Sequence, residues 1–465
     1  MVADGCESSL CSGKVLLKAS DANVEDIIRL LLSSDVKERR FIDCPEEHRH
    51  MAFTQRFHIF VSIVVQKLLQ CAKKPLAQAG DVLEMWQNLV ASNGGLFVLL
   101  VNSMKGTVTR PDRLSSTFIS AIGSVDPRIK LDESIKPGQV NYSALLSLMA
   151  AKLSYENEAC IKSVVEEHWN MELTSSYSCL NDSQEGSATM AFMLQDMRSD
   201  PNLIVVAFRG TPPFDADAWC TDIDLSWYEV NGVGRIHHGF LSALGLQKHN
   251  GLPKELDHGS RQLYAYYALR EKLRATLKEK KARIVVTGHS LGGALAILFV
   301  ATLIMHEEAE ILDSLEGVYT FGQPRVGDEQ FAKFMEERLE EYNVRYFRYV
   351  YCNDIVPRLP YDNEVWSYKH FGSCVYYNSL YQCEVRDEAP NKNYFNPLWA
   401  IPKLLTGGWE VVRGIAMPYS MGEQFRETWS LLALRTLCFV FPGIAEHCPQ
   451  DYDNSIRLGN PPPNL

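Results

Sequence analysis

Short apolar runs alternate with amphipathic stretches along the chain from about residue 141 onward. Each run of Ile, Val, Phe and Tyr has the length of a buried strand, and most runs are separated by a longer stretch with helical periodicity. Strands that alternate with helices form a mostly parallel sheet with helices on both faces. The pattern therefore predicts an α/β fold, with strands at 188–196, 202–210, 283–288, 317–322 and 344–351.

The first 140 residues are predicted to be mainly helix and loop. Within residues 56–80, a helix would carry a wide apolar face and a narrow polar stripe that recurs every four positions, formed by His58, Ser62, Gln66 and Gln70. We expect this helix to end at Lys73 and Lys74, before Pro75. A second apolar patch follows at 94–104.

Two interpretations of this apolar region, about residues 50–105, remain open from the sequence. A helix with such a face often packs on a protein core. The same face also suits a helix that lies in the plane of a lipid surface, with Lys73 and Lys74 at the level of the headgroups. We therefore divide the chain into a helical N-terminal region, 1–140, that includes a candidate lipid anchor, and an α/β domain at 141–465.

The overall composition is that of an ordinary globular protein. Hydrophobic residues make up 46% of the 465 positions and charged residues 22%. The net charge of −11 and the lack of a basic stripe argue against nucleic acid as a partner. No apolar run reaches the roughly 18 to 20 residues that a membrane-spanning helix needs.

The cysteines and the N-terminus indicate a reducing compartment. Twelve cysteines are scattered along the chain with no C-x-x-C pair. The opening sequence MVADGCESSLCSG lacks the charged start, apolar centre and small-residue cleavage site of a secretory signal. We therefore expect reduced, mostly buried thiols and a cytosolic rather than a secreted protein.

The sequence TGHSLGGALA contains the pattern G-x-S-x-G at residues 288–292. Alone the pattern is weak evidence, because a chain of this length matches it by chance about one time in seven. Its context is more informative, since a predicted strand precedes it and a predicted helix follows at once. A strand, a tight turn and a helix expose the hydroxyl of Ser290 at the carboxyl edge of the sheet. The pattern therefore predicts that Ser290 is a nucleophile.

A serine nucleophile needs a histidine to accept its proton and a carboxylate to orient that histidine. With this type of turn, the acid and then the histidine follow the serine along the chain. Asp354 lies just after the strand 344–351 and is favoured, while Asp328 follows the preceding strand and is the alternative. His447 in a polar loop is favoured over His370, which leads into another predicted strand. Spacing alone leaves both alternatives open.

Acyl transfer also requires hydrogen-bond donors for the negatively charged oxygen of the tetrahedral intermediate. One candidate is the backbone N–H of Leu291, directly after the nucleophile. The other is Thr211, which follows the strand 202–210 and offers its N–H and its hydroxyl. Taken alone, the segment FRGT is more typical of an ordinary turn.

A resemblance to a known family makes the prediction more specific. Six motifs occur in one order within residues 141–460: VVAFRGT, DAWCTDID, HHGF, VTGHSLGGALA, YTFGQPRVGD and NDIVP. Together they resemble the class 3 lipases, α/β hydrolases that cleave triacylglycerols and other glycerolipids. Two further segments, SSDVKERRFID and HCPQDYDNSIRLG, are similar to the plant oil-body triacylglycerol lipases. The resemblance implies that 141–465 is an α/β-hydrolase catalytic domain, that no cofactor is needed and that the substrate is a glycerolipid at a lipid–water interface.

The same resemblance implies roles for individual residues. It assigns the nucleophile, acid, base and two oxyanion donors, in that order, to Ser290, Asp354, His447, Thr211 and Leu291. It also implies a lid at about 212–227, which presents aromatic side chains to lipid, here Phe214, Trp219 and Trp227. Acidic residues surround these three aromatics, so the lid departs from a plainly apolar flap.

Other chemistries find little support in the sequence. The pairs His48–His50 and His237–His238 lack partners at zinc-ligand spacing, DADAWCTDID lacks the Gly and terminal Glu of a calcium loop, and no nucleotide-binding motif occurs. We therefore expect a cofactor-free triacylglycerol lipase, attached peripherally to the cytosolic side of lipid droplets or membranes. Phospholipase A1, galactolipase and diacylglycerol lipase activities remain as alternatives. A non-catalytic hydrolase-like scaffold is the other alternative, although such scaffolds typically lose a member of the triad.

Overall fold

The computed structural model describes residues 11–37, 39–180, 188–197, 202–246, 252–255, 263–362, 367–421 and 425–459. The strands in these segments, in chain order, are β1 (Cys11–Leu17), β2 (Ile42–Asp43), β3 (Glu172–Leu180), β4 (Ala188–Gln195), β5 (Leu203–Phe208), β6 (Trp227–Val230), β7 (Gly234–His237), β8 (Arg283–His289), β9 (Leu315–Phe321), β10 (Gly327–Asp328), β11 (Arg345–Tyr351), β12 (Tyr368–Lys369), β13 (Ser373–Tyr377) and β14 (Cys383–Arg386).

The helices in the same segments are α1 (Val24–Leu32), α2 (Phe53–Ser92), α3 (Leu96–Lys105), α4 (Ala121–Val125), α5 (Val140–Leu153), α6 (Glu158–Ser163), α7 (Ala216–Ile223), α8 (His238–Ala243), α9 (Ala265–Glu279), α10 (Leu291–Met305), α11 (Ala309–Asp313), α12 (Glu329–Glu341), α13 (Ala400–Met421), α14 (Trp429–Leu437) and α15 (Pro449–Leu458).

The central sheet has eight strands in the order β14-β13-β11-β9-β8-β5-β4-β3. The inner strands from β13 to β5 run parallel, and antiparallel strands form the two edges. The predicted α/β fold is thereby confirmed, and each of the five predicted strands is present with its ends shifted by at most two residues. The edge strand β3 was not predicted, because its Ser and Thr residues interrupt any apolar run.

Helices cover both faces of this sheet and create two hydrophobic cores. On one face lie α8, α9, α10 and α12. Nearly every residue of α10 is buried, which explains why this helix is apolar on all sides. On the other face lie α5, α6 and α15. Ser290 stands at the junction of β8 and α10, and both elements are almost entirely buried.

A second sheet joins the N-terminal region to the rest of the chain. Its six strands follow the order β12-β10-β7-β6-β1-β2 and are antiparallel. The prediction of helix and loop missed β1, which contains only the short apolar run VLL. Trp227, expected as a lid side chain, instead belongs to β6 and is buried between β1 and β7, with the guanidinium of Arg235 4.4 Å from its ring.

The helix α2 is 40 residues long and continues through Pro75. The expected end before Pro75 is therefore wrong. A proline inside a helix costs about 3 kcal/mol or more, but packing on both sides of it holds α2 in place. Before the proline, Ile63 is buried in a third hydrophobic core with α1 and β1. After it, the backbone of Gly80 packs directly against the ring of Phe214.

The predicted polar stripe of α2 turns partly toward the protein. Ser62 and Gln66 are buried and face α7. The apolar residues Phe57, Val61 and Leu68 are exposed instead. The helix therefore packs on the protein and, at the same time, presents apolar side chains to its surroundings.

The helices and the cysteines of the described segments bear on two expectations from the sequence, the absence of a membrane-spanning helix and the burial of the thiols. No described helix combines the length and the apolarity that crossing a bilayer requires. The ten cysteines whose side chains are described form no disulfide. Five of them are buried, four are partly exposed and Cys71 is exposed, so half of these ten thiols, rather than most of them, are fully buried.

Candidate active site

The strand β8 delivers Ser290 to the start of α10 through a strained turn. Its backbone has φ 59° and ψ −131°, a conformation that residues with a side chain rarely adopt. The turn is possible because glycines flank it. A Cβ atom on Gly288 would lie 2.1 Å from the backbone of Gly292, and one on Gly292 would lie 2.3 Å from the carbonyl oxygen of Phe208 in β5. The serine is thus placed at the carboxyl edge of the sheet.

A chain of hydrogen bonds links Ser290, His447 and Asp354. The Nε2 atom of His447 lies 2.8 Å from Oγ of Ser290, and Nδ1 lies 2.8 Å and 3.0 Å from the two carboxylate oxygens of Asp354. With the proton on Nδ1, the imidazole donates to the carboxylate and accepts from the serine hydroxyl. This is the arrangement that removes a proton from an attacking serine.

The carboxylate of Asp354 has two further partners that fix its position. Its Oδ1 accepts the backbone N–H of Val356 at 2.9 Å. Its Oδ2 accepts the hydroxyl of Tyr452, on α15, at 2.5 Å. Asp354 is fully buried, so these donors replace the solvent that its charge has lost. Sequence reasoning missed Tyr452, although it lies only five residues after His447, one helical turn into α15.

The histidine of the G-x-S-x-G pattern, His289, holds the loop that carries His447. Its Nε2 lies 2.9 Å from the backbone carbonyl oxygen of His447, and its Nδ1 lies 3.0 Å from the hydroxyl of Tyr155. Burial, with the charge of His447 adding to it, holds the pKa of His289 well below its usual range. A neutral His289 donates from Nε2 to the loop and accepts from Tyr155 at Nδ1.

The two alternative candidates have other partners. The Oδ1 atom of Asp328 accepts the backbone N–H of Phe331 at 2.9 Å and so caps the N-terminus of α12. The Nε2 atom of His370 lies 2.7 Å from the carbonyl oxygen of Pro357. The structure therefore brings the favoured acid and histidine to Ser290 and gives Asp328 and His370 contacts of a structural kind.

Thr211 and Leu291 emerge at the same edge of the sheet as Ser290. The strands β5 and β8 are parallel, with Phe208 opposite Gly288, so the segments that follow them leave the sheet side by side. Thr211 is buried. Leu291 is the first residue of α10, where backbone N–H groups have no acceptor within the helix. Both predicted oxyanion donors thus belong to the segments that border the nucleophile.

The hydroxyl of Thr211 is engaged by an acidic residue of α7. It donates a hydrogen bond of 2.6 Å to Oδ2 of Asp222, while Oδ1 of Asp222 is buried without a hydrogen-bond partner in the described segments. Burial raises the pKa of Asp222 to about 7, against the lowering effects of the Thr211 hydrogen bond and of His447. Sequence reasoning did not single out Asp222, because it is one of four Asp residues in the segment DADAWCTDID.

The lid region predicted at 212–227 contains α7, and α2 packs directly on this helix. The hydroxyl of Ser62 donates to the carbonyl oxygen of Ile223 at 2.8 Å. The ammonium of Lys73 lies 2.5 Å from a carboxylate oxygen of Asp217. Two further aromatic residues were expected to face lipid, Phe214 and Trp219. The side chains of both are only partly exposed. The long N-terminal helix therefore holds α7 in its present position.

One group of three buried side chains in the described segments has the composition of a metal site. The ligand atoms of Cys352, Glu410 and Glu446 lie within 4.8 Å of one another. Both carboxylates already have protein partners, since Glu410 binds Arg435 at 2.6 Å and Glu446 accepts the backbone N–H of Asn353 at 2.5 Å. Burial also holds the pKa of Cys352 and of Glu446 well above the usual range, which opposes metal binding. We assign no metal to this group.

Comparison with known proteins identifies the family. The model of the family described as lipase (class 3) matches residues 205–364. Three relatives named triacylglycerol lipase OBL1 align over most of the chain. The relative from Nicotiana tabacum is 43% identical, over 87% of this chain and 83% of its own. The relative from Arabidopsis thaliana is 39% identical, over 98% and 96%, and that from Ricinus communis is 37% identical, over 86% of each.

Solved structures of lipases are more distant. The Rhizomucor miehei lipase in complex with its propeptide is 23% identical, with a TM-score of 0.38, over 57% of this chain and 83% of that chain. Lipase II from Rhizopus niveus is 25% identical, with a TM-score of 0.35, over 49% and 77%. Because three relatives are 37–43% identical to this chain over most of their own length, the chain belongs to the class 3 lipase family, and it is a lipase.

Proposed function

We propose that the protein is a triacylglycerol lipase that releases fatty acids at the surface of lipid droplets. The observation that carries the proposal is the chain of hydrogen bonds from Ser290 through His447 to Asp354. The relatives named triacylglycerol lipase OBL1 support the substrate class, because one of them aligns with 98% of this chain. No cofactor takes part in the reaction.

The first half of the reaction forms an acyl-enzyme. Oγ of Ser290 attacks the carbonyl carbon of an ester, and its proton passes to Nε2 of His447. Asp354 stabilises the imidazolium. The backbone N–H groups of Thr211 and Leu291, together with the hydroxyl of Thr211, stabilise the oxyanion. When the tetrahedral intermediate collapses, the ester C–O bond breaks. The departing glyceride oxygen takes the proton from His447, and the acyl group stays on Ser290.

The second half of the reaction restores the enzyme. A water molecule attacks the acyl carbon, and His447 now accepts the proton of that water. A second oxyanion forms at the same donors. Collapse of this intermediate breaks the bond to Oγ of Ser290, which recovers a proton from His447. The free fatty acid leaves.

We infer that α7 moves when a substrate enters. Ser290 is only 4% exposed, and the hydroxyl of Thr211 is bound to Asp222 on α7. Displacement of α7 opens the edge of the sheet and frees this hydroxyl for the oxyanion. The arrangement described above is therefore the closed form of the enzyme.

The decisive experiment replaces the nucleophile. In purified Ser290→Ala we expect ester hydrolysis to fall by about 10⁴-fold or more and labelling by a fluorophosphonate to disappear. His447→Ala is expected to lose a similar factor, whereas His370→Ala serves as the matched control and keeps most of its rate. Undiminished hydrolysis by Ser290→Ala contradicts the proposal. A parent protein that does not react with the fluorophosphonate favours the non-catalytic scaffold.

A substrate panel tests the lipid class. The parent and Ser290→Ala, as the blank, are given emulsified triacylglycerol, diacylglycerol, phosphatidylcholine and a galactolipid. We expect triacylglycerol to be hydrolysed fastest. A faster reaction with phosphatidylcholine or with the galactolipid assigns the enzyme to one of the alternative activities named from the sequence.

We also propose that the outer face of α2 and α3 attaches the enzyme to the droplet. Val61 of α2 and, on α3, Phe97 and Met104 are exposed. Deletion of α2 is an unsuitable test, because Ile63 is part of a hydrophobic core. Phe97→Gln with Met104→Gln leaves the core intact, and we expect it to weaken binding to droplets while hydrolysis of a soluble ester is unchanged. Undiminished droplet binding contradicts the anchor.

A further inference from the structure

The two C-terminal helices, α13 and α14, keep their charged side chains on the inside. Lys403, Glu410 and Arg413 of α13 and Arg435 of α14 are all at most 8% exposed. Arg435 binds Glu410 at 2.6 Å and Asp451 of α15 at 2.7 Å, and Arg413 binds the same aspartate at 3.0 Å. This buried network attaches both helices to α15.

The opposite face of α13 is apolar and exposed. Five side chains recur on it at intervals of three or four residues, and each is at least 43% exposed: Ile401, Leu405, Trp409, Val412 and Ile415. A helix on the surface of a water-soluble protein has the reverse arrangement, with its apolar stripe inside and its charges outside. The inverted arrangement of α13 favours an apolar environment outside the protein.

The same apolar surface continues toward the active site. After α14, residues 439–441 and Ile444 are also exposed apolar side chains. This segment lies on α13, because the backbone of Gly407 contacts the ring of Pro442. Three residues after Ile444 the chain reaches His447, which is hydrogen-bonded to the nucleophile. We call the exposed side chains of α13, α14 and 439–444 the C-terminal apolar face.

The charge and the aromatic residues of this face indicate which kind of surface binds to it. Residues 397–420 and 428–445 contain four charged side chains, which are the four buried ones named above. Trp409 and Trp429 are exposed on the face, and Trp399, directly before α13, is exposed as well. Indole rings suit the boundary between lipid and water. The net charge of −11 disfavours approach to anionic headgroups. A neutral lipid surface therefore fits the face better than a charged membrane.

We propose that the C-terminal apolar face docks on a neutral lipid surface, with α13 in the plane of that surface and the His447 loop at its border. The inference rests on the proposed lipase function, since a lipid substrate is what identifies the occupant. The face is separate in sequence from the α2–α3 anchor, and it adjoins the catalytic histidine directly. Docking here brings the active-site edge of the sheet to the lipid.

The test compares two double variants by flotation with a triacylglycerol emulsion coated with phosphatidylcholine. Leu405→Gln with Leu437→Gln changes two side chains of the face that are 70% and 84% exposed. Met197→Gln with Val385→Gln makes a matched change at exposed apolar residues elsewhere. Moving one exposed leucine side chain from water into lipid strengthens the partitioning of the protein onto the emulsion by roughly tenfold or more. We expect the first variant to bind at least about tenfold more weakly and the second to bind like the parent.

Two further measurements make every outcome decisive. Both variants should hydrolyse a soluble short-chain ester at the parental rate, which shows that fold and triad are intact. Emulsion binding by Leu405→Gln with Leu437→Gln that equals the parent's overturns the proposal. The proposal is also overturned if the parent is a dimer, and if the variant is a monomer that still binds the emulsion. In that case the face joins two copies of the chain. Failure of the proposed lipase function is seen separately, as a soluble-ester rate that Ser290→Ala does not reduce.

Discussion

The two sides of the active site are held by contacts of different strength. On the triad side, the buried Asp354 accepts hydrogen bonds from His447 and Tyr452, and α15, which carries Tyr452, is fixed by the Arg435 ion pairs. On the oxyanion side, Thr211 is bound to Asp222 of α7. That helix packs on α2, and its polar contacts to α2 are an ion pair that is partly open to solvent and single hydrogen bonds.

The difference predicts that the triad side is complete before a substrate arrives, whereas the oxyanion side is not. Buried, multiply bonded groups keep their geometry during the reaction, which is the condition for efficient acid–base catalysis. Solvent-exposed ion pairs contribute less than about 1 kcal/mol each and are easily replaced by other contacts. We therefore expect changes on the triad side to lower the rate by orders of magnitude. Changes to the contacts between α7 and α2 should alter it by small factors.

The largest effect is expected from Asp354→Asn. The amide no longer holds the proton on Nδ1 of His447, so kcat on a soluble ester should fall about 10⁴-fold. Asp328→Asn is the matched control, because Asp328 caps α12 and accepts the backbone N–H of Arg235 but makes no hydrogen bond to Ser290 or His447 in the described residues, and its kcat should stay close to that of the parent. Equal losses in the two variants would show that the triad side depends on general stability rather than on Asp354.

A smaller loss is expected on the oxyanion side from Thr211→Val. Valine keeps the β-branched shape and the backbone N–H but removes the hydroxyl. Loss of one oxyanion donor typically lowers kcat by about 10²- to 10³-fold, with little change in KM. An unchanged kcat would mean that the hydroxyl serves only to bind Asp222 in the closed form.

The next effect is on stability, and it depends on pH. The pKa of Asp222 in the folded protein is raised to about 7 by burial, whereas in the unfolded chain it is about 4. Between these values the folded state binds more protons, so the contribution of Asp222 to the free energy of unfolding falls as the pH rises from about 4 to 7. Asp222→Asn removes this decline.

Denaturant unfolding of the parent and Asp222→Asn at pH 5 and pH 8 measures the difference. The free energy of unfolding of the variant minus that of the parent should be higher at pH 8 than at pH 5 by a few kcal/mol. Stability differences that are the same at both pH values would contradict the raised pKa.

The smallest effect is expected from Lys73→Ala, which removes the ion pair to Asp217. Such a pair contributes at most about 1 kcal/mol. Easier displacement of α7 should therefore raise the rate on a soluble ester by no more than about fivefold, and Lys74→Ala should leave it unchanged. A rate that falls in Lys73→Ala would show that α2 supports the open form rather than the closed one.

The sequence was most informative where the fold depends on local signals. The inner strands are rich in β-branched and aromatic residues, so their positions followed from the local pattern of the sequence. The turn at Ser290 requires glycine on both sides, and that requirement is visible as a motif. The order of acid and histidine along the chain then favoured Asp354 and His447 over Asp328 and His370, and the resemblance to the class 3 lipases assigned the two roles. The structure brings both side chains to the serine. Their catalytic roles, and those of Thr211 and Leu291, stay predictions.

Features that depend on long-range packing were not predictable in this way. The pairing of β1 with β6 joins residues that are more than 200 positions apart, and it buried the expected lid residue Trp227. Helix α2 passes through Pro75 because of contacts that no local pattern reveals. Asp222 and Tyr452 became important only because the fold places them on Thr211 and Asp354.

The strained backbone of Ser290 has a consequence for how this chain evolves. A positive φ of 59° at a residue with a side chain costs about 1–3 kcal/mol, and glycine at that position would remove most of this cost. Selection for folding stability alone would therefore favour glycine at position 290. A serine is retained there only while turnover contributes to fitness, so descendants of this chain that lose their substrate should lose the serine early.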